Sequence, residues 1–297
     1  MGQYSIKELE HLTGVKAHTL RIWEQRYKFV KPKRTNTNIR YYTDDDMKKI
    51  LNISILNKYG LRIGTIAKMD KNAIKENINS ISQKNEIFKY ELHINKLATC
   101  MLDLDEQGFE KIITTCILQV GLEKTMFAII YPFLKKIGVM WLTNRANPAQ
   151  EHFIVNLIRQ KLIVAIDGQV VRPNEKSKKY LLFLPEDELH EMSLLFLHYL
   201  LKARNHIVTY LGANVPFNNI VPIANQSKAD YVYTIFTAPL DETQMLNYLD
   251  ALSQQIPNKN IVISGCQTYR LTTKKLPSNV FLLTNMDEIM NFVENPA

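Results

Sequence analysis

The spacing of apolar residues changes near residue 171, and that change requires two different architectures in one chain. From Ile87 to about Val171 apolar residues recur at threes to fives: Phe88, Leu92, Leu97, Met101 and Leu104, then Phe109, Ile112, Ile113, Cys116, Ile117 and Val120. This is the helical period. Breaks at Asp105–Gly108, Gly121 and Asn144–Pro148 predict four helices, near 87–103, 107–119, 123–141 and 148–167. Short connections between helices favour an antiparallel four-helix bundle over 87–171. After VVRPNEKSK come KYLLFLP, HIVTYLGA, DYVYTIF, NIVISG and NVFLLT, short β-rich runs separated by helical segments. That alternation predicts a parallel sheet with helices on both faces, a flavodoxin-like doubly wound domain over 178–297. Ligands of such domains bind at the carboxyl ends of the strands.

Charge divides the chain elsewhere. The net charge is +8, and residues 1–80 hold all of it, with 16 Lys/Arg against 8 Asp/Glu. The remaining residues carry 21 of each sign. A compact basic segment on a neutral body points to a polyanion, most simply nucleic acid. Cys100, Cys116 and Cys266 form no CxxC pair, which excludes a disulfide scaffold and a zinc–cysteine cluster. There is no unbroken run of about 18 apolar residues, so no membrane span is expected. The opening MGQYSIKELEHLTG lacks an apolar signal core, so a cytoplasmic protein is expected. No Walker loop, HExxH or Ser-His-Asp order is present, and the chain is not expected to be an enzyme.

Within residues 1–75, Ser5-Ile6-Lys7-Glu8 is a capping-box pattern that opens a short helix. Gly14 makes a turn, and a second helix is predicted over Ala17–Tyr27. Leu20 and Ile22 are expected to face inward, and His18, Thr19, Arg21 and Arg26 outward. This is a helix-turn-helix whose second helix would enter a major groove. KPKRTNTNIRYY (residues 31–42) suits a β-hairpin wing, with Pro32 ending the helix and Arg34, Arg40, Tyr41 and Tyr42 placed to reach phosphates. Asp44-Asp45-Asp46 starts another helix, where acidic residues favour the amino end. The Asn/Lys-rich stretch 68–86 reads as a linker (76–86) or an exposed helix.

Two further constellations suggest a ligand. Glu188-x-His190 follows a predicted strand and precedes a helix. An imidazole there can meet a ligand lying over the sheet, and the carboxylate can hold its other nitrogen and fix the tautomer. A loop histidine also serves as a helix cap or is simply solvated. Trp141 and Glu151-His152 flank the break between the third and fourth bundle helices. An indole and an imidazole near one another suit a planar ligand, and equally a core anchor beside a capping Glu.

YSIKELEHLTGVKAHTLRIWEQRY, the Arg40-Tyr41-Tyr42 triplet and the acidic helix start closely resemble the MerR-family DNA-binding domain. With the two later constellations, the whole chain resembles the cobalamin-binding MerR-type regulators of the CarH/LitR group. The resemblance implies adenosylcobalamin as cofactor, with Trp141, Glu151 and His152 against the adenosyl group. It makes His190 the cobalt ligand from below and Glu188 the residue that orients it. Three positions depart from the group's pattern. Ser193 stands for a glycine, Thr234-x-Phe236 for a Ser-x-Leu pattern, and Ser264-Gly265 for a Gly-Gly pair near the nucleotide tail. The implied function is a transcriptional regulator that reads operator DNA as a homodimer or homotetramer. It would respond to light by losing the adenosyl group. The alternative keeps the DNA reader and makes the carboxy-terminal domain an oligomerisation or protein-binding module without cobalamin.

Overall fold

The computed structural model describes residues 3–141, 148–271 and 275–296. The chain divides into two compact units, residues 1–157 and 158–297.

The first unit opens with β1 (Gln3–Tyr4), α1 (Ile6–Thr13), α2 (Ala17–Tyr27), β2 (Lys33–Arg34), β3 (Arg40–Thr43) and α3 (Asp44–Lys58). The strands form an antiparallel sheet in the order β1-β3-β2, so residues 33–43 are the expected hairpin wing. Ser5 and Glu8 close the capping box that starts α1, and Thr43 and Asp46 close another that starts α3. Each box satisfies two otherwise unpaired N–H groups. Gly14 takes φ 72°, which turns the chain between α1 and α2. The second helix ends at Lys28 in the left-handed region, before Pro32 is reached. Its inward pair is Leu20 and Trp23, with Trp23 edge-on to Phe29, whereas Ile22 is 45% exposed. The expectation for Ile22 fails because a helix turns 100° per residue. Once Leu20 and Trp23 define the buried face, Ile22 lies outside it.

Then follow α4 (Ile63–Ile66), α5 (Lys71–Lys84), α6 (Glu86–Asp103), α7 (Glu106–Thr125), a π-helical turn (Met126–Ile130), α8 (Tyr131–Trp141) and α9 (Pro148–Asp167). Residues 71–84 are thus helical, and α5 packs on α6. The predicted break at Gly121 (φ 81°) is a chain reversal: Phe109 and Phe133, on either side of it, pack with ring centroids 6.0 Å apart, and Lys89 and Glu86 of α6 meet Gln119 and Lys124. The most apolar 18-residue window within Glu106–Gly138 has a mean hydropathy of 1.4, which by length and composition passes as a membrane span. The expectation of none counted unbroken apolar runs, and this stretch has charges interspersed. Its Phe109, Ile113, Cys116, Ile129 and Phe133 are buried, and α6 packs along it. Ion pairs Lys48–Asp103 (2.7 Å) and Lys58–Glu91 (2.5 Å) join α3 to α6.

The second unit continues from α9 into β4 (Lys179–Pro185), α10 (Met192–Ala203), β5 (Ile207–Val215), α11 (Phe217–Gln226), β6 (Tyr231–Ile235), α12 (Glu242–Gln255), β7 (Asn260–Ser264), a 3₁₀ turn (Thr268–Leu271), β8 (Val280–Leu282) and α13 (Met286–Glu294). All five strands are parallel, in the order β5-β4-β6-β7-β8. Numbered within the domain this is 2-1-3-4-5, the flavodoxin order, whose topological switch point lies between β4 and β6. Side chains alternate across β6. Val232 and Phe236 join a core with Leu181, Phe183, Met245 and Leu249. Tyr231 and Tyr233 face the other way, against Phe292 of α13.

Gly265 ends β7 at φ 114°, and a Cβ there would run into the Phe236 carbonyl. Both the dihedral and the contact demand glycine. Gly265→Ala should destabilise the second unit by about 3 kcal/mol through backbone strain and overpacking. A urea midpoint equal to wild type would refute this.

Candidate functional site

The candidate ligand site is built where the sheet changes direction. Pro185 ends β4, and the chain turns through Asp187 in the left-handed region (φ 66°) before α10 begins. Asn214 after the bend of β5 is also left-handed (φ 58°). Its side chain accepts from the Asp187 N–H at 2.9 Å, and its own N–H donates to the Glu188 carbonyl at 3.2 Å. The loop is therefore fixed from the β5 side.

Glu188 fixes it from the β6 side. The residue is buried, at 5% exposure. One carboxylate oxygen accepts from the main-chain N–H groups of Thr237 and Ala238, both at 2.6 Å. The other accepts from the His190 N–H at 3.0 Å and lies 2.6 Å from His190 Nδ1. Burial pushes the carboxyl pKa up, but the N–H groups of Ala238, His190 and Thr237 and the His190 ring outweigh it and hold the value below the ordinary 4.5. The His190 side chain is 60% exposed. With Nδ1 engaged, Nε2 is the nitrogen left free for a ligand.

Among the described residues no group of three or more His, Cys, Asp or Glu could hold a metal ion. A metal held by His190 must therefore bring its other ligands with it, as the cobalt of a corrin does. An exposed imidazole held by a buried carboxylate is a donor that suits such a group. Nearby, Thr234 Oγ1, Tyr248 Oη and Gln267 Oε1 are buried without a hydrogen-bond partner. All three relate to Phe236. Thr234 shares its strand face, Tyr248 packs edge-on at 5.9 Å, and Gln267 donates its N–H to the Phe236 carbonyl at 3.1 Å. Unpaired buried polar atoms are costly, and a polar ligand group would relieve them.

The other predicted residues fall as follows. Ser193 lies in the first turn of α10, partly buried, with no left-handed φ demanding glycine. Ser264 is buried, and its hydroxyl bonds that of Tyr233 at 3.0 Å. Phe236 is 2% exposed within the core. Glu151 and His152 occupy the first turn of α9, with Glu151 partly buried and His152 exposed. Trp141 closes α8, and its side chain lies outside the described residues. Sequence reasoning missed Thr237, Ala238 and Asn214. Two of these act through main-chain N–H groups, which no residue type announces.

On the reader, His18, Arg21, Arg26, Arg34 and Arg40 are exposed and Thr19 and Tyr41 partly so. Arg34 is steadied by the Asn38 carboxamide at 2.6 Å, and Arg40 lies 4.0 Å from Glu24. Tyr42, expected among the phosphate-reaching residues, is instead fully buried and donates its hydroxyl to Glu24. Alternation along β3 sends it to the core face. Exposed Ile22 is an unforeseen candidate, since an apolar side chain on a recognition helix can meet a thymine methyl.

A basic winged helix-turn-helix is the architecture of a DNA reader, and a 2-1-3-4-5 parallel sheet with a histidine at its switch point is that of a ligand-binding domain. Comparison with known proteins agrees. Residues 4–73 match the MerR HTH family regulatory proteins, and residues 93–165 match the B12 binding domain. The chain is 23% identical over 285 residues to the HTH-type transcriptional repressor CarH of Myxococcus xanthus, covering 94% of each. It is 24% identical over 263 residues to the repressor CarA of the same organism, covering 88% of this chain and 85% of that one. Among solved structures it resembles the Methanosarcina barkeri monomethylamine corrinoid protein, at 15% identity and a TM-score of 0.50, covering 67% of this chain and 95% of that one. That likeness is one of fold. The chain is thus similar over most of its length to MerR-type regulators of the CarH kind, whose names are those of regulators rather than enzymes.

Because the lowered pKa of Glu188 belongs to the folded state, its contribution is complete above the ordinary carboxylate value of 4.5 and is lost as pH falls through the lowered one. Glu188→Gln should cost about 2–4 kcal/mol at neutral pH by weakening charge-assisted bonds. The gap to wild type should close in acid. Denaturant midpoints of both proteins across pH check this, and a gap that does not narrow would contradict it.

Proposed function

We propose that the chain is a DNA-binding transcriptional regulator that senses adenosylcobalamin and, on illumination, changes its oligomeric state and its hold on operator DNA. The observation that carries this reading is the Glu188-held His190 at the sheet's switch point, on the same chain as a basic winged reader. Bound adenosylcobalamin would supply a cobalt that takes an imidazole and a cobalt–carbon bond that light cleaves. His190 would bind that cobalt through Nε2, and Glu188 holds the ring through Nδ1. Trp141, Glu151 and His152 are the residues we assign to the adenosyl group. Thr234, Phe236, Ser264 and Gly265 are assigned to the nucleotide tail, with Ser193 beside the lower ligand. His18, Thr19, Arg21, Arg26, Arg34, Arg40 and Tyr41 are assigned to DNA. MerR-type readers work on paired half-sites, so a homodimer or homotetramer in the cytoplasm completes the reading.

One observation favours a second reading. Ser264's hydroxyl is already taken by Tyr233, and Phe236 fills the core beside Gly265. On this view the nucleotide tail has no entry, and the domain is an oligomerisation or protein-binding module.

An absorbance spectrum separates the two. The chain prepared in the dark with adenosylcobalamin should retain it and change spectrum under green light. His190→Ala should lose the imidazole-bound signature. Colourless protein would favour the module, and an unchanged spectrum in His190→Ala would remove His190 as ligand. For the reader, Arg21→Ala and Arg40→Ala should each weaken operator binding and lower the log–log salt slope by about one. Wild-type binding in both would show that these arginines do not carry the interface.

A further inference from the structure

The first unit carries an open cavity of about 420 Å³ with walls from both the DNA reader and the helical segment behind it. The end of α1 and the middle of α3 form one side, and α6 and α8 the other. The volume lies within the range of small-molecule sites, roughly 300–1,000 Å³. Leu12, Leu51, Ile55 and Ile94 give it an apolar lining.

Its charged groups are not balanced. Three ammonium groups line it, those of Lys58, Lys135 and Lys136, against the carboxylate of Glu91. Lys58 is already paired with Glu91 at 2.5 Å. Lys136 is half-buried on α8, and its ammonium donates to the neutral carboxamide oxygen of Asn95 at 2.7 Å. Burial holds its pKa down at about 8, with Glu91 opposing and Lys58 adding to the effect. A cation removed from water and bonded to a neutral acceptor is poorly compensated, and an anion is the group that relieves it. Lys135, exposed next to it, supplies a second ammonium at the rim.

We propose that this cavity binds a small organic oxyanion, a phosphate or carboxylate held by Lys136 and Lys135 with an apolar body against Leu12 and Ile55. Such a ligand touches the reader and the helices behind it at once. It is a chemical input distinct from the Glu188–His190 site, and it stands whether or not the cobalamin reading does.

The test is calorimetric titration of the full chain with phenyl phosphate, benzoate, inorganic phosphate and neutral benzyl alcohol. At least one of the two aromatic anions should bind saturably, and whichever is tighter identifies the oxyanion. Benzyl alcohol and inorganic phosphate should each bind about tenfold or more weaker than that anion. Lys136→Gln and Lys135→Gln should each cost about tenfold in its affinity, and Lys96→Gln, exposed on α6, nothing. Should Lys136→Gln fail to fold, the rim variant Lys135→Gln carries the test. Absence of saturable binding, affinity indifferent to both lysine substitutions, or inorganic phosphate matching the aromatic anions would each overturn the proposal.

Discussion

The buried Glu188 carboxylate organises the second unit's functional end. A charge taken out of water must be paid back by hydrogen bonds, and this one receives them from two loops and from an imidazole. The same bonds that stabilise the carboxylate fix the spacing of the β4 and β6 loops. They also settle which nitrogen of His190 is left to a ligand. On the proposed reading stability and function are one arrangement, because the imidazole assigned to the ligand is held by the group that ties the loops together.

The reader works on the same economy at a smaller scale. Tyr4 and Tyr42 are buried phenols with carboxylate partners, Asp44 and Glu24. Burial pushes both hydroxyls up, with the carboxylate bonds adding to it, so they stay protonated as donors. These contacts lock β1, β3, α2 and α3 together and leave the arginines of α2 and the wing at the surface. A rigid interior with an exposed basic rim is what phosphate positioning needs.

Much of this was legible in the residues. The capping boxes, the Gly14 turn, the acidic start of α3 and the period-two runs each carry a local physical signal, and the structure forms the corresponding elements. Glu188-x-His190 was legible because two side chains two positions apart can meet without help from the rest of the fold. Ile22 and Tyr42 were misplaced because their side of an element depends on which neighbours bury it. The break at Gly121 was legible because a glycine takes positive φ without penalty, and there the chain reverses between two helices.

The sequence by itself determined the element types, the change from helical to sheet period at about residue 171, the basic reader and the pairing of a carboxylate with a histidine. These depend on neighbours along the chain. Only the tertiary structure decided that β4 and β6 are adjacent, that the N–H groups of Thr237 and Ala238 reach Glu188, and that Lys136 meets a cavity shared with α1 and α3. Those contacts join residues 49 to 125 positions apart. Their partners are main-chain groups and empty space, neither of which leaves a mark in the order of residues.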